Sequence, residues 1–152
     1  MSATIISDTS CLILLTNAGK LDFLNQLFDK VYITPTIAAE YKLPVPEWIE
    51  IRNPEGNQFE RFKAILIDEG ESSAFALQIE IPDAILVLDD RDARKLAQKL
   101  QLKFMGTLGI IKLLKEKELI DSGKQMLNDM KKAGMRLSAD LEEDFLNLIG
   151  EG

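Results

Sequence analysis

Five short runs of strand character, each followed by a segment of helical spacing, constrain this chain more than any other feature. Thr4 to Ser7, Val31 to Thr34, Trp48 to Arg52, Ala84 to Leu88 and Leu102 to Met105 are short and mostly β-branched or apolar. Ala84 to Leu88 (AILVL) is apolar throughout, the pattern of a strand covered on both faces. Between the runs lie helix-length stretches with start and stop signals: Thr9 and Ser10 before Leu12, Pro35 at a first helical position, and Gly70 before Glu71. Strands that alternate with crossovers of this length pair in parallel, with helices on both faces. The expected architecture is α/β, a three-layer α/β/α sandwich around a mainly parallel sheet.

Local patterns refine that outline. LDFLNQLF after Gly19 has helical spacing, whereas the two prolines of LPVPEW forbid a continuous helix there. Pro54 to Asn57 is a turn signal before the helix QFERFKAIL, expected to bury Phe59, Phe62 and one of Ile65 and Leu66. RDARKLAQKL should turn Ala93, Leu96, Ala97 and Leu100 inward. From Asp121 onward the chain reads as a helical hairpin broken at Gly134, with Ser138 capping the last arm. No linker or repeat divides the 152 residues. They are read as a single domain, 1–152, with an α/β core over 1–120 and C-terminal helices over 121–152.

Acidic residues mark where the expected strands hand over to helices. Asp8 ends the first strand, Glu71 opens a central helix and Asp89-Asp90 end the AILVL strand, while Glu40 falls one turn inside the helix that Pro35 begins. In an open parallel sheet those switches face one crevice, so residues far apart in sequence can meet there. Each acid has an ordinary use: Asp8 and Asp90 as helix caps, Glu71 as a complement to a helix dipole, Glu40 as an exposed helical glutamate. Gathered together, they would repel unless a hard cation lay between them. All-oxygen ligands suit Mg²⁺ or Mn²⁺, and so suggest phosphate chemistry.

Composition removes most competing chemistries. With no histidine, serine triads and zinc–histidine sites are excluded, and a lone cysteine, Cys11 in an apolar run, allows no internal disulfide or thiolate cluster. No dinucleotide fingerprint and no phosphate-binding P-loop is present. A haloacid-dehalogenase-like phosphatase would need Asp where Ser10 stands, and a response-regulator receiver would need Lys where Gly106-Thr107 ends the last strand. No apolar run approaches the ~20 residues that span a bilayer, and the N-terminus lacks a signal-peptide pattern, so a cytoplasmic protein is expected. The net charge of −7 is uneven: residues 91–136 hold twelve basic and five acidic side chains, +7, which leaves −14 on the remainder. A basic segment beside an acidic one suits an enzyme that draws a polyanion toward a carboxylate site.

Taken in order, these residues resemble the PIN-domain family. Its members open with a strand, Asp and Thr or Ser, as in Ile5-Ile6-Ser7-Asp8-Thr9-Ser10, and carry Glu on the second helix, matched by Glu40. A third acid starts a central helix, matched by Glu71 in Gly70-Glu71-Ser72-Ser73-Ala74, and a fourth ends a strand, matched by Leu88-Asp89-Asp90-Arg91. The series continues through Gly106-Thr107-Leu108-Gly109 and Gly134-Met135-Arg136-Leu137-Ser138, as in one bacterial PIN subgroup, and so covers nearly the whole chain. Two departures stand out. The third acid is Glu where many members have Asp, and both Asp89 and Asp90 fit the fourth position, with Asp90 the better match.

The resemblance implies a Mg²⁺- or Mn²⁺-dependent endoribonuclease, the toxin of a toxin–antitoxin pair, with Asp8, Glu40, Glu71 and Asp90 as catalytic acids. Asp8, Glu71, Asp89 and Asp90 would supply metal ligands. Thr9, Ser10 and Thr107 are candidates to donate to substrate phosphate, and Arg91, Arg94, Lys95 and Lys99 to contact its backbone. RNA, a small antitoxin and a second copy of the chain are the expected partners, with the apolar residues of the C-terminal hairpin, Phe145 among them, as partner surface. A catalytically inactive PIN-like module that binds protein or nucleic acid is the alternative, and a phosphoacceptor receiver a more distant one.

Overall fold

The computed structural model describes residues 3–66 and 68–152. The elements run β1 (Thr4–Ser7), α1 (Thr9–Asn17), α2 (Asp22–Leu27), β2 (Lys30–Ile33), α3 (Pro35–Tyr41), β3 (Ile49–Ile51) and α4 (Gln58–Lys63). They continue with α5 (Glu69–Glu80), β4 (Ile85–Val87), α6 (Arg91–Lys99), β5 (Phe104–Met105), α7 (Thr107–Glu116), α8 (Gly123–Lys132) and α9 (Ala139–Leu148). All five strands pair in parallel in the order β3-β2-β1-β4-β5. Ile5 lies opposite both Val31 and Ile85, so β1 is the centre of the sheet.

Successive side chains of a strand face opposite sides. Ile5, Ile6 and Ser7 of β1 and Leu86 and Val87 of β4 are nevertheless all fully buried, so helices cover both faces of the central strands. This is the expected three-layer α/β/α sandwich. On one flank α5 packs on β1 and β4, and α7 packs on β5 and α8. Phe75 of α5 is fully buried, and its ring lies 5.3 Å from that of Phe62. Cys11 is fully buried in the same core. No helix of the described residues is long and apolar enough to cross a membrane.

Strand order decides where a site can form. From β1 the chain steps out to β2 and β3, then returns to the other side for β4 and β5. The reversal opens a crevice at the C-terminal ends of β1 and β4, where Asp8 and Asp89 stand. The backbone N–H of Asp8 donates to the Val87 carbonyl at 3.1 Å and so extends that pairing by one residue.

Side-chain placement departs from expectation at the helix ends. Leu66 takes the buried position and Ile65 is 63% exposed, because α4 ends at Lys63 and the following turn rotates the next side chains. Leu100, expected inward, is 44% exposed: α6 stops at Lys99, and Leu100 is already its C-cap before Gln101 takes positive φ. α5 begins two residues before Glu71, which therefore sits in the first turn instead of opening the helix. The C-terminal hairpin is present as α8 and α9, with Gly134 at φ 118° between them and Ser138 capping α9. Phe145 is buried and belongs to the core, so it offers no partner surface; Leu141 and Leu148 are the exposed apolar residues of α9.

Candidate active site

Every acid except Glu40, which lies near the end of α3, reaches the crevice because a helix begins there. Asp8 is the N-cap of α1 and accepts the Cys11 N–H at 2.9 Å; its other oxygen accepts the Asp89 N–H at 3.2 Å. Two backbone donors thus hold a carboxylate that is only 4% exposed. Burial and then the Asp89 charge push the Asp8 pKa up to about 7, against a partial pull-back by those two amides, with Asp68 adding to the rise. The same burial, with the charges of Asp8 and Asp89, pushes the Cys11 thiol well above its ordinary range.

Asp89 and Asp90 are adjacent yet differently committed. Asp89 gives both oxygens to Thr107, accepting its N–H at 2.8 Å and its hydroxyl at 2.5 Å. It therefore ties the end of β4 to the start of α7. Thr107 is fully buried and its hydroxyl proton is spent on Asp89, so it faces a carboxylate instead of the open crevice where phosphate was expected. Asp90 caps α6 with one oxygen, to the Ala93 N–H at 3.0 Å, and is exposed.

Glu71 lies at the meeting point. It is half-buried, and its pKa rises to about 8, first through burial and then through Asp90, Asp68, Asp8 and Glu40, each of which raises it further. Four further carboxylates, from β1, α3, the start of α5 and the end of β4, therefore share its electrostatic neighbourhood. A pocket of about 550 Å³ is lined by Glu40, Asp68, Glu69, Glu71, Asp90 and Asp92 with Ile65 and Leu66, and no lysine or arginine among them.

Glu40 is held by neighbours on other elements. The Thr9 hydroxyl donates to its carboxylate at 2.5 Å, which links α1 to α3. Gly70 lies directly beneath it, where a Cβ would collide with Glu40 Oε1. Thr34 caps α3 and bonds Ser73 at 2.6 Å, while Ser73 donates to the Gly70 carbonyl at 2.7 Å. A buried hydroxyl relay thus fixes α3 against α5.

Asp68 was missed from sequence. It caps α5 by accepting the Glu71 N–H at 2.8 Å, lines the acidic pocket and bears on both Glu71 and Asp8. The signal was present as Asp68-x-x-Glu71, a helix-start pattern of the capping-box kind. Of the other candidates, Thr9 turns to Glu40, and Ser10 and Arg94 line a second cavity. Arg91, Lys95 and Lys99 are exposed at intervals of four on one face of α6.

As they stand, no group of three or more acidic side chains among the described residues is placed to hold a metal ion. Asp8, Asp68 and Asp90 each have an oxygen turned to the helix start they cap. The donor chemistry fits a hard divalent cation all the same: every charged ligand in the pocket is a carboxylate and none has a cationic partner there.

A family model described as a PIN domain, DUF3368, matches residues 4–151. No curated protein matches the chain. The PIN domain is a nuclease-type fold directed at nucleic acid, and its members typically use divalent metals.

Proposed function

The chain belongs to the PIN-domain family, and from that premise we propose that it is a metal-dependent endoribonuclease. The observation that carries this reading is the all-carboxylate pocket around Glu71, with no positive side chain in its lining. A structural salt-bridge network would contain its counter-charges, whereas this pocket leaves them to a ligand.

Glu71, Asp90 and Asp68 would hold a Mg²⁺ or Mn²⁺ ion, with Asp8 and Asp89 beside them. The ion would supply a lowered pKa for water and a counter-charge for the phosphoryl oxygens. The protein's own part is orientation and proton handling. Glu40, aimed by the Thr9 hydroxyl and seated over Gly70, orients the attacking water. Asp89 fixes the start of α7 through Thr107, which keeps the rim of the crevice in register. Arg91, Lys95 and Lys99 hold the phosphate backbone without reading bases.

Several features extend the proposal without carrying it: a small antitoxin that silences the enzyme, a homodimer, a cytoplasmic location, and one domain over residues 1–152. The test is cleavage of RNA with Mn²⁺ or Mg²⁺. Activity should vanish in EDTA and fall at least a hundredfold in Glu71→Gln and Asp90→Asn. Equal cleavage in EDTA would end the metal reading. A folded protein that shows neither cleavage nor a metal-induced rise in Tm would instead be the inactive binding module.

A further inference from the structure

Apart from the bonds from Thr107 to Asp89, two glycine-containing motifs, distant in sequence, take no part in the acidic pocket. Gly106-Thr107-Leu108-Gly109 starts α7, and Gly134-Met135-Arg136-Leu137-Ser138 joins α8 to α9. The fold brings them together in the lining of one cavity of about 680 Å³, within the size range of small-molecule sites. Its apolar walls include Leu14 of α1, Leu108 of α7, and Met135 and Leu137 between the last two helices; Arg94 and Arg136 also line it.

The cavity meets the acidic crevice through two consecutive residues, Asp89 on its own lining and Asp90 on that of the acidic pocket. Ser10 and Gly106 also line it. Both arginines are exposed, and neither takes part in an ion pair among the described residues. Arg94 lies over the Phe104 ring at 5.5 Å, a cation–π contact that keeps its guanidinium beside β5. An apolar slot with two free guanidinium groups fits a flat, weakly polar body joined to an anion. A nucleotide has that chemistry: base against aliphatic and thioether walls, phosphate on arginine.

We infer that this cavity is a nucleotide subsite of the proposed nuclease: it seats one RNA base and its phosphate beside the bond to be cut. The inference rests on the nuclease reading for the bond that is cut, but not for the binding. Ser10 is the only uncharged polar side chain in the lining, and Asp89 is committed to Thr107. The subsite therefore seats a base with little discrimination by its edge.

The experiment compares the full chain with Arg136→Ala and Leu141→Glu, two exposed residues of the cavity lining outside the acid cluster. Three quantities are read: affinity for a fluorescein-labelled RNA hexamer in EDTA, kcat/KM for RNA with Mn²⁺, and hydrolysis of methyl p-nitrophenyl phosphate, a diester with no base. Each variant should lose at least tenfold in hexamer affinity and in kcat/KM for RNA, with the base-free diester cleaved at the wild-type rate. Wild-type cleavage of RNA that both variants match would overturn the subsite and leave the nuclease standing. Wild-type binding that the variants lose, in a protein that cuts neither substrate, would support the subsite and remove the nuclease reading. Failure of the wild type to bind the hexamer overturns the subsite. So do variants that bind RNA normally but convert a dimer to a monomer, since the cavity would then be a subunit interface.

Discussion

Gly70 and Glu40 illustrate what single residues contribute. Gly70 is buried with ordinary helical backbone, so its lack of a side chain serves space, not conformation: the Glu40 carboxylate rests where a Cβ would stand. Gly70→Ala should leave the fold intact, because the displaced group is the mobile end of an exposed glutamate, and alanine is the better helix former by about 1 kcal/mol. Cleavage should fall at least tenfold while Tm holds or rises. A variant that keeps full activity would show that Glu40 has no fixed task. Glu71 belongs at the same scale. Its pKa of about 8 lies above its ordinary 4.5, so it favours the fold while protonated, and that contribution is lost as pH rises from about 4.5 through 8. In EDTA, Glu71→Gln should therefore gain Tm over wild type progressively between pH 5 and pH 9. A difference that is flat with pH, or of opposite sign, would place Glu71 outside the repulsive cluster.

Among the elements, the C-terminal hairpin is anchored by one side chain beyond its last helix. Glu151 accepts from Lys115 Nζ at 2.6 Å, from the Gly123 and Lys124 N–H groups at 2.7 and 3.1 Å, and from the Ser122 hydroxyl at 3.2 Å. The Lys115 bond is the largest cause that lowers its pKa to about 2; burial opposes it, and the two amides and the Lys115 charge lower it further. This support is present above pH 4.5 and is lost only as pH falls through about 2. Glu151→Ala leaves the start of α8 without its acceptor and should cost about 1–3 kcal/mol. Hydrogen exchange should locate the loss: faster exchange at Gly123 and Lys124, with β1 and β4 unchanged. Uniform acceleration across the molecule would mean that the hairpin and the sheet open together. Because α9 also supplies a wall of the proposed nucleotide cavity, this anchor bears on function as well as stability.

For the whole molecule, metal and stability should be coupled through the acid cluster. An ion that binds only the folded state stabilises it by about 2.7 kcal/mol at a hundredfold excess over its Kd. Saturating Mn²⁺ should thus reverse the order expected in EDTA, leaving wild type more stable than Glu71→Gln at pH 8. Thermal melts with and without the ion read this directly, and an unchanged order would argue for the inactive module.

How far the sequence could be read follows from the range of each interaction. Periodicity and caps are local, so the strands, their helices and the series Asp8, Glu40, Glu71 and Asp90 could be read without coordinates. The absence of histidine and the lone Cys11 had already narrowed the chemistry to carboxylates. Contacts across the sheet are not local. The commitment of Asp89 to Thr107, the gathering of Asp68 and Asp90 around Glu71, the seat of Glu40 on Gly70 and the meeting of the two glycine motifs all join residues on different elements. Burial of Phe145 and exposure of Leu100 were settled in the same way, by where a helix stopped and what packed against it. Local spacing determined which residues stand at the ends of strands; only the order β3-β2-β1-β4-β5 decided which of those ends share a crevice.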